Sequence, residues 1–265
     1  MRKNEEEMTP FQPTEKWEFN TLGIYDYKRP GYLDLWFNFL RLTESYIPGD
    51  VVEAGVFRGH TLLATALLLR ELGSPKKVLG FDSFKGFPQI SERTEVNTEN
   101  TKSEIFLPPQ QMQRVHKLNE IKRAMQSNSL FEENQRVDFR NISNSGDFSD
   151  TQKSQLERKI EFLGLTNVVI VDGYFENTMT PDNLPNQVYA SFIDCDLHDS
   201  YITTLEAIWP LLSPGSFVYV DEYYSLKFLE AKLAVDSFLS GKKFKRISHS
   251  GLIGDDFERN GFIKL

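Results

Sequence analysis

Cysteine is nearly missing from this 265-residue chain, with Cys195 the only one. A single thiol excludes a disulfide framework and any multi-cysteine zinc or iron–sulfur site. Long apolar runs are missing too. The longest uncharged apolar stretch covers Thr61–Leu69, well short of the ~20 residues a membrane-spanning helix needs. There is no excess of basic residues: 38 acidic side chains outnumber 30 basic ones, for a net charge of −8. A nucleic-acid binder ordinarily carries a basic face for phosphates. The opening M-R-K-N-E-E-E-M-T-P turns acidic with no apolar core behind it, unlike a secretory signal peptide. A soluble, reduced, cytoplasmic protein is therefore expected, with neither nucleic acid nor membrane as partner. Hydrophobic residues make up 40% of the chain, enough at this length to bury a core without staples.

What is present alternates between two kinds of segment. Leu33, Leu35, Trp36, Phe39, Leu40 and Ile47 recur at helical spacing over residues 32–46, and Pro48-Gly49-Asp50 stops that helix. Apolar strand-like runs follow at 51–55, 77–82, 167–171, 188–193 and 216–220. Helical stretches lie at 61–72, 151–164, 200–212 and 226–240. Strands buried on both faces and separated by helices predict an α/β fold, a doubly wound and mostly parallel sheet. Late strands at 245–250 and 261–265 complete it, including an antiparallel pair. Residues 1–30, with Pro10, Pro13 and Pro30, read as an irregular arm. Residues 89–149 are polar, with one helix expected over Gln110–Met125. A segment of that length points to a lid or binding insertion.

Five strand ends carry chemistry. Glu53-Ala54-Gly55-Val56-Phe57-Arg58-Gly59 joins a strand to a helix, and Asp82 follows Gly59 by 23 residues. That is close to the ~20-residue spacing at which a carboxylate meets ribose hydroxyls. Gly55 would let a ligand approach the backbone, and Gly59 would permit tight entry into the helix. Phe57 stands where a dinucleotide loop has its second glycine, so a nucleoside without a pyrophosphate suits this loop better. A plain strand-to-helix turn fits the same residues. Asp194-Cys195-Asp196-Leu197-His198 and Asp221-Glu222 end two further strands. Four carboxylates outside the carboxyl ends of a parallel sheet repel one another unless protons or a cation intervene. An all-oxygen set favours a hard ion such as Mg²⁺, the alternative being that Asp194 or Asp221 caps the next helix. Asp172-Gly173-Tyr174-Phe175 ends a third strand, where an aromatic either stacks on an adenine or packs in the core. His198 is a base or a surface residue, and Cys195 reads as packing.

The blocks V-V-E-A-G-V-F-R-G, F-D-S-F-K-G-F-P, G-Y-F-E-N-T, D-C-D-L-H-D-S and S-P-G-S-F-V-Y-V-D-E-Y occur in one order. Together they resemble the macrocin O-methyltransferase family, which methylates sugar hydroxyls in natural-product pathways. The resemblance covers roughly residues 50–90 and 160–240. It implies a class I, Rossmann-like methyltransferase fold with seven strands, S-adenosylmethionine as methyl donor and Mg²⁺ as metal. It implies that Glu53, Gly55 and Gly59 border the methionine part of the cofactor. Asp82 and Ser83 would then bind the ribose, and Gly173, Tyr174 and Phe175 the adenine. Ala54, Val56, Phe84, Asp172 and Asp194 flank these in the cofactor-binding set. Asp194, Asp221 and Glu222 match metal positions, and Asp196 matches the general base, with His198 as the substitute. Residues 1–48 would form an arm and helix covering the active site, and residues 49–265 the methyltransferase domain.

Three departures stand out. Glu222 replaces a usual aspartate, His198 replaces a usual tyrosine, and the segment after Pro88 is long. The expected acceptor is a small hydroxylated molecule, a sugar or other natural product, in a possible homo-oligomer. The alternatives are an NAD(P)-dependent oxidoreductase of Rossmann type and a non-catalytic nucleoside-binding protein.

Overall fold

A computed structural model of the chain describes residues 10–88, 148–225, 228, 230–250 and 258–265. The helix expected over Gln110–Met125 lies outside the described residues, as do residues 89–147 of the expected insertion. Seven strands form one sheet: β1 (Asp50–Ala54), β2 (Val78–Asp82), β3 (Val168–Asp172), β4 (Val188–Ile193), β5 (Leu212–Val220), β6 (Phe244–Ser250) and β7 (Glu258–Lys264). Their order is β3-β2-β1-β4-β5-β7-β6. β1 to β5 pair in parallel, and β7 runs antiparallel to both β5 and β6. The order reverses between β1 and β4, which places a ligand crevice beyond the carboxyl ends of those two strands.

The helices are α1 (Lys16–Leu22), α2 (Asp34–Thr43), α3 (His60–Glu71), α4 (Lys153–Phe162), α5 (Phe175–Thr178), α6 (His198–Ile208) and α7 (Glu230–Leu239). The arm, α2, α3 and α4 cover one face of the sheet and α6 and α7 the other, with a hydrophobic cluster under each. The apolar run that makes α3 buries every residue from Thr61 to Leu69. Trp36 of α2 is fully buried and donates from Nε1 to Thr65 Oγ1 at 2.9 Å. It packs edge-on against Phe192, which stacks on Tyr219 at 4.7 Å. No helix among the described residues is long and apolar enough to cross a membrane.

Three expectations need correction. The arm is not wholly irregular, because α1 forms within it. Glu15 at the N-cap and Glu18 make a reciprocal capping box, a role usually filled by serine or threonine at the first position. Not every parallel strand is buried on both faces: β3 is the sheet edge, and its Val169 is 39% exposed. The helix expected over 200–212 ends at Ile208, since Pro210 cannot continue an α-helix. A 3₁₀ turn at Trp209–Leu211 follows, and β5 begins directly at Leu212.

Candidate active site

The β1 turn is held by the end of β2. Asp82 Oδ2 accepts the backbone amides of Val56 and Phe57 at 2.9 and 2.8 Å, and Oδ1 accepts that of Phe84 at 2.7 Å. Burial raises the Asp82 pKa above the ordinary value, while these three amides oppose the rise. Gly55 has φ +87°, and a Cβ there would lie 1.8 Å from the Asp194 carbonyl oxygen. The glycine is therefore required by the close approach of two strand ends, a reason independent of any ligand. At Gly59, φ +82° and a Cβ 2.4 Å from Leu156 give the N-cap of α3 the same requirement.

Beyond these strand ends lies a cavity of about 320 Å³. Among the expected site residues, Gly55, Asp82, Ser83, Gly173, Tyr174, Phe175, Asp194, Asp196 and Glu222 line it. The others stand back from it. Glu53 is buried beneath α3, where the Leu62 amide reaches its carboxylate and its Oε2 has no partner. Burial and the nearby Asp194 push its carboxyl well above the usual range. Ala54 and Val56 belong to the buried end of β1 and its turn. Asp172 is exposed and lies 3.6 Å from Lys153. His198 sits at the start of α6 with Nδ1 2.9 Å from Asp199 Oδ1.

Oxygens of Asp194, Asp221 and Glu222 come within 4.8 Å of one another, the one such acidic group that could hold a metal ion among the described residues. Asp194 is pushed up to about 7 by burial and by Asp221. Burial and Asp194 raise Glu222 well above the usual carboxylate range. These shifts express crowded negative charge that a proton or a cation relieves. The fully buried Tyr201 of α6 donates its hydroxyl to Glu222 Oε2. Arg259 Nη1 stands 3.5 Å from Asp221 Oδ1, and its guanidinium covers the Tyr32 ring of the arm at 4.8 Å.

Backbone strain gathers at the same place. The non-glycine residues with positive φ among those described are Phe57 (+50°), Phe84 (+49°), Phe148 (+63°) and Asp196 (+61°). Phe57, Phe148 and Asp196 line the cavity, and Phe84 follows the lining residues Asp82 and Ser83 in the turn after β2. The Leu197 amide reaches back to the Cys195 carbonyl at 2.6 Å, closing a tight turn around Asp196. Such conformations cost about 1–3 kcal/mol each and persist where the surroundings impose them.

The sequence reading missed Phe87, Pro88, Phe148, Ser200 and Phe228 in the cavity wall. The available signal was the 21 phenylalanines in the chain, with Phe84 and Phe87 spaced inside F-D-S-F-K-G-F-P.

A family model described as a methyltransferase domain matches residues 52–223. The chain belongs to this family. It is similar to the 8-demethyl-8-(2,3-dimethoxy-alpha-L-rhamnosyl)-tetracenomycin-C 4'-O-methyltransferase of Streptomyces olivaceus, at 27% identity over 180 residues. That match covers 67% of this chain and 54% of that protein. It is also similar to the demethyldecarbamoylnovobiocin O-methyltransferase of Streptomyces niveus, at 26% identity over 178 residues, covering 67% and 53%. The chain thus spans about half the length of the curated relatives it matches. Among solved structures, the O-methyltransferase NovP superposes with a TM-score of 0.56 at 18% identity, covering 86% of this chain and 78% of that one. A calicheamicin methyltransferase gives the same score and identity over 94% and 80%. At that identity the likeness shows the fold, a seven-stranded class I methyltransferase sheet.

Proposed function

We propose that the chain is an S-adenosylmethionine-dependent O-methyltransferase of the macrocin type, assisted by Mg²⁺, acting on a hydroxyl of a sugar or natural product. The observation that carries this reading is the convergence of Asp194, Asp221 and Glu222 beside the same cavity that Gly55, Asp82 and Gly173 line. Family membership and the O-methyltransferase names of the relatives support it. Phe57 adds to the argument, since its ring packs on Phe148 where a dinucleotide's pyrophosphate would need open space.

S-adenosylmethionine, when bound, would supply an electrophilic sulfonium methyl for transfer to the acceptor oxygen, with neutral S-adenosylhomocysteine as the leaving group. A divalent ion, when bound, would supply Lewis-acid polarisation of the acceptor hydroxyl. Asp194, Asp221 and Glu222 would hold that ion, and their clustered hard oxygens suit Mg²⁺. Asp82 and Ser83 would face the ribose, with Tyr174 and Phe175 beside the adenine. Asp196, held rigidly by its strained turn, would accept the acceptor's proton. Its placement in the cavity wall favours it over His198, which does not line the cavity. The carboxylates also suit a cationic donor. A cytoplasmic location and a neighbouring subunit completing the acceptor side belong to the same reading.

Calorimetric titration with S-adenosylhomocysteine, and a turnover assay with S-adenosylmethionine and a hydroxylated acceptor, each with and without EDTA, test it. The expected result is cofactor binding in both conditions and methyl transfer in the metal-loaded sample alone. Undetectable cofactor affinity would remove the assignment.

A further inference from the structure

β7 carries a cation to the acidic group. It runs antiparallel to β5, with Asn260 opposite Val220 and Gly261 opposite Tyr219. One step further along that register, Arg259 falls opposite Asp221, the residue that follows β5. Its Nη1 stands 3.5 Å from Asp221 Oδ1. Oppositely charged cross-strand neighbours attract. Both side chains are mostly buried, at 18% and 23% exposure, where salt screens little. The separation still exceeds the about 2.7–2.9 Å of a full charge-assisted hydrogen bond, so the pair needs a second hold.

That hold comes from the arm. The Tyr32 ring centroid lies 4.8 Å from the guanidinium, inside the ~6 Å range of a cation–π contact. Tyr32 meets Tyr25 edge to face at 5.1 Å, and Tyr25 meets the His60 ring at 5.9 Å. The Tyr25 amide donates to the His60 carbonyl at 3.2 Å, which anchors this part of the arm to the start of α3. Asp34 Oδ1 accepts the Gly31 amide at 3.0 Å and fastens the residue before Tyr32 to the start of α2. The Tyr25 phenol feels the acidic group directly. Burial, then Asp221 and Asp194, push it above its ordinary value, with Arg259 opposing. A line of contacts thus runs from α3 through Tyr25, Tyr32 and Arg259 to Asp221.

We infer that Arg259 is a positioning residue that couples the arm to the divalent-ion site: Tyr32 seats the guanidinium, and the guanidinium fixes the direction of the Asp221 carboxylate. This inference rests on the metal reading of Asp194, Asp221 and Glu222 given above. A carboxylate free to rotate spends part of its time turned away from its fellow ligands, and a partner outside the metal's own ligands removes that freedom. Such coupling is reciprocal. An arm that orients Asp221 is itself steadied by Asp221, and that half of the relation can be read without any metal.

Charge-conserving variants separate geometry from plain repulsion between Arg259 and the ion. The first measurement is calorimetric Mn²⁺ titration of the full chain saturated with S-adenosylhomocysteine. Tyr32→Leu and Arg259→Lys should each weaken Mn²⁺ binding about tenfold. Tyr32→Phe keeps the ring face and should stay within about twofold of wild type. S-adenosylhomocysteine affinity should hold within about twofold in all three, a control that a misfolded variant fails. The second measurement is hydrogen exchange in EDTA, where Asp221→Asn should speed exchange at the amides of residues 24–33 and leave β3 unchanged. It decides the matter where a variant of the first set loses S-adenosylhomocysteine binding. Wild-type Mn²⁺ affinity in Tyr32→Leu, equal losses in Tyr32→Leu and Tyr32→Phe, or unchanged exchange in Asp221→Asn overturns the inference. A wild-type chain that binds no Mn²⁺, while Asp221→Asn still loosens the arm, would instead overturn the metal reading and leave the link from arm to Asp221 standing.

Discussion

The Tyr201 hydroxyl donates to Glu222 Oε2 in the interior between α6 and the end of β5, and it also lies 3.3 Å from the Ile193 carbonyl. Ile193 immediately precedes Asp194, so one buried phenol spans the strand ends that carry both carboxylates. Glutamate is one methylene longer than aspartate, and a fixed donor limits where its carboxylate can point. Outer partners of this kind typically change metal affinity by about 10–100-fold when removed. Tyr201→Phe, which keeps the ring and its packing, should weaken Mn²⁺ binding about tenfold by calorimetry. Unchanged affinity would mean that Glu222 holds its position without the phenol.

Stability of the metal-free protein should fall as pH rises. Asp194 ionises near about 7 in the fold, and Glu222 well above its usual range. The unfolded chain releases these protons at ordinary carboxylate values of about 4. A raised folded value means that the native state binds protons more tightly, so stability is fully present below about pH 4 and is lost as pH climbs toward about 7. Differential scanning fluorimetry in EDTA should show Tm dropping across that window. Mg²⁺ should then raise Tm more at pH 7.5 than at pH 5, because it replaces the protons that the pair would otherwise need.

Asp82 joins fold to site. It accepts three backbone amides, and leaving buried donors unmatched costs about 1–3 kcal/mol each before relaxation and water entry. Asp82→Ala should therefore lower Tm by several degrees as well as weaken S-adenosylhomocysteine binding. Asp82→Asn keeps one acceptor oxygen and should lie between. A cofactor defect with wild-type Tm would mean that the amides find other partners.

The legible part of this protein was its periodicity. The apolar runs at 188–193 and 61–72 specified β4 and α3 because burial on all sides leaves little choice of residue. The carboxylates at the ends of β4 and β5 were legible for a related reason: a mostly parallel sheet brings successive strand ends to one edge. Capping in α1 was not legible, because Glu15 uses an unusual residue for a common geometry. Nor was the aromatic wall, since Phe57, Phe87, Phe148 and Phe228 are far apart in sequence and share no spacing. The close approach that requires glycine at 55 was hidden for the same reason. Its crowding neighbour is the Asp194 carbonyl, which lies 139 positions further along the chain.

Arg70 fastens the arm to the core. Its guanidinium donates to the Leu163 carbonyl at 2.6 Å, the Phe11 carbonyl at 2.7 Å and Gln12 Oε1 at 2.5 Å. Hydrogen bonds from a charged donor contribute about 1.5–3 kcal/mol, toward the low end here because the group is partly exposed. Arg70→Ala should free residues 10–15 for limited proteolysis at protease levels that spare the wild type. The Tyr25 amide, bonded to the His60 carbonyl at 3.2 Å, should keep the later part of the arm in place. Cleavage beyond Tyr25 in the variant would show that Arg70 holds the whole arm.

The choice between two proton acceptors is open to direct measurement. Asp196 lines the cavity, is 9% exposed and is held at φ +61°. Asparagine tolerates that left-handed backbone nearly as well as aspartate, so Asp196→Asn removes basicity with little change in the turn. A positioned base contributes about 10²–10⁴-fold, and kcat should fall by that factor while S-adenosylhomocysteine affinity holds. His198→Ala removes an imidazole paired with Asp199 at the start of α6, and kcat should stay within about threefold of wild type. The reverse pattern would transfer the proton to His198 and leave Asp196 as a positioning residue of the turn after β4. Comparable losses in both variants would indicate a relay, with an intervening water bridging the gap between the cavity wall and the helix start.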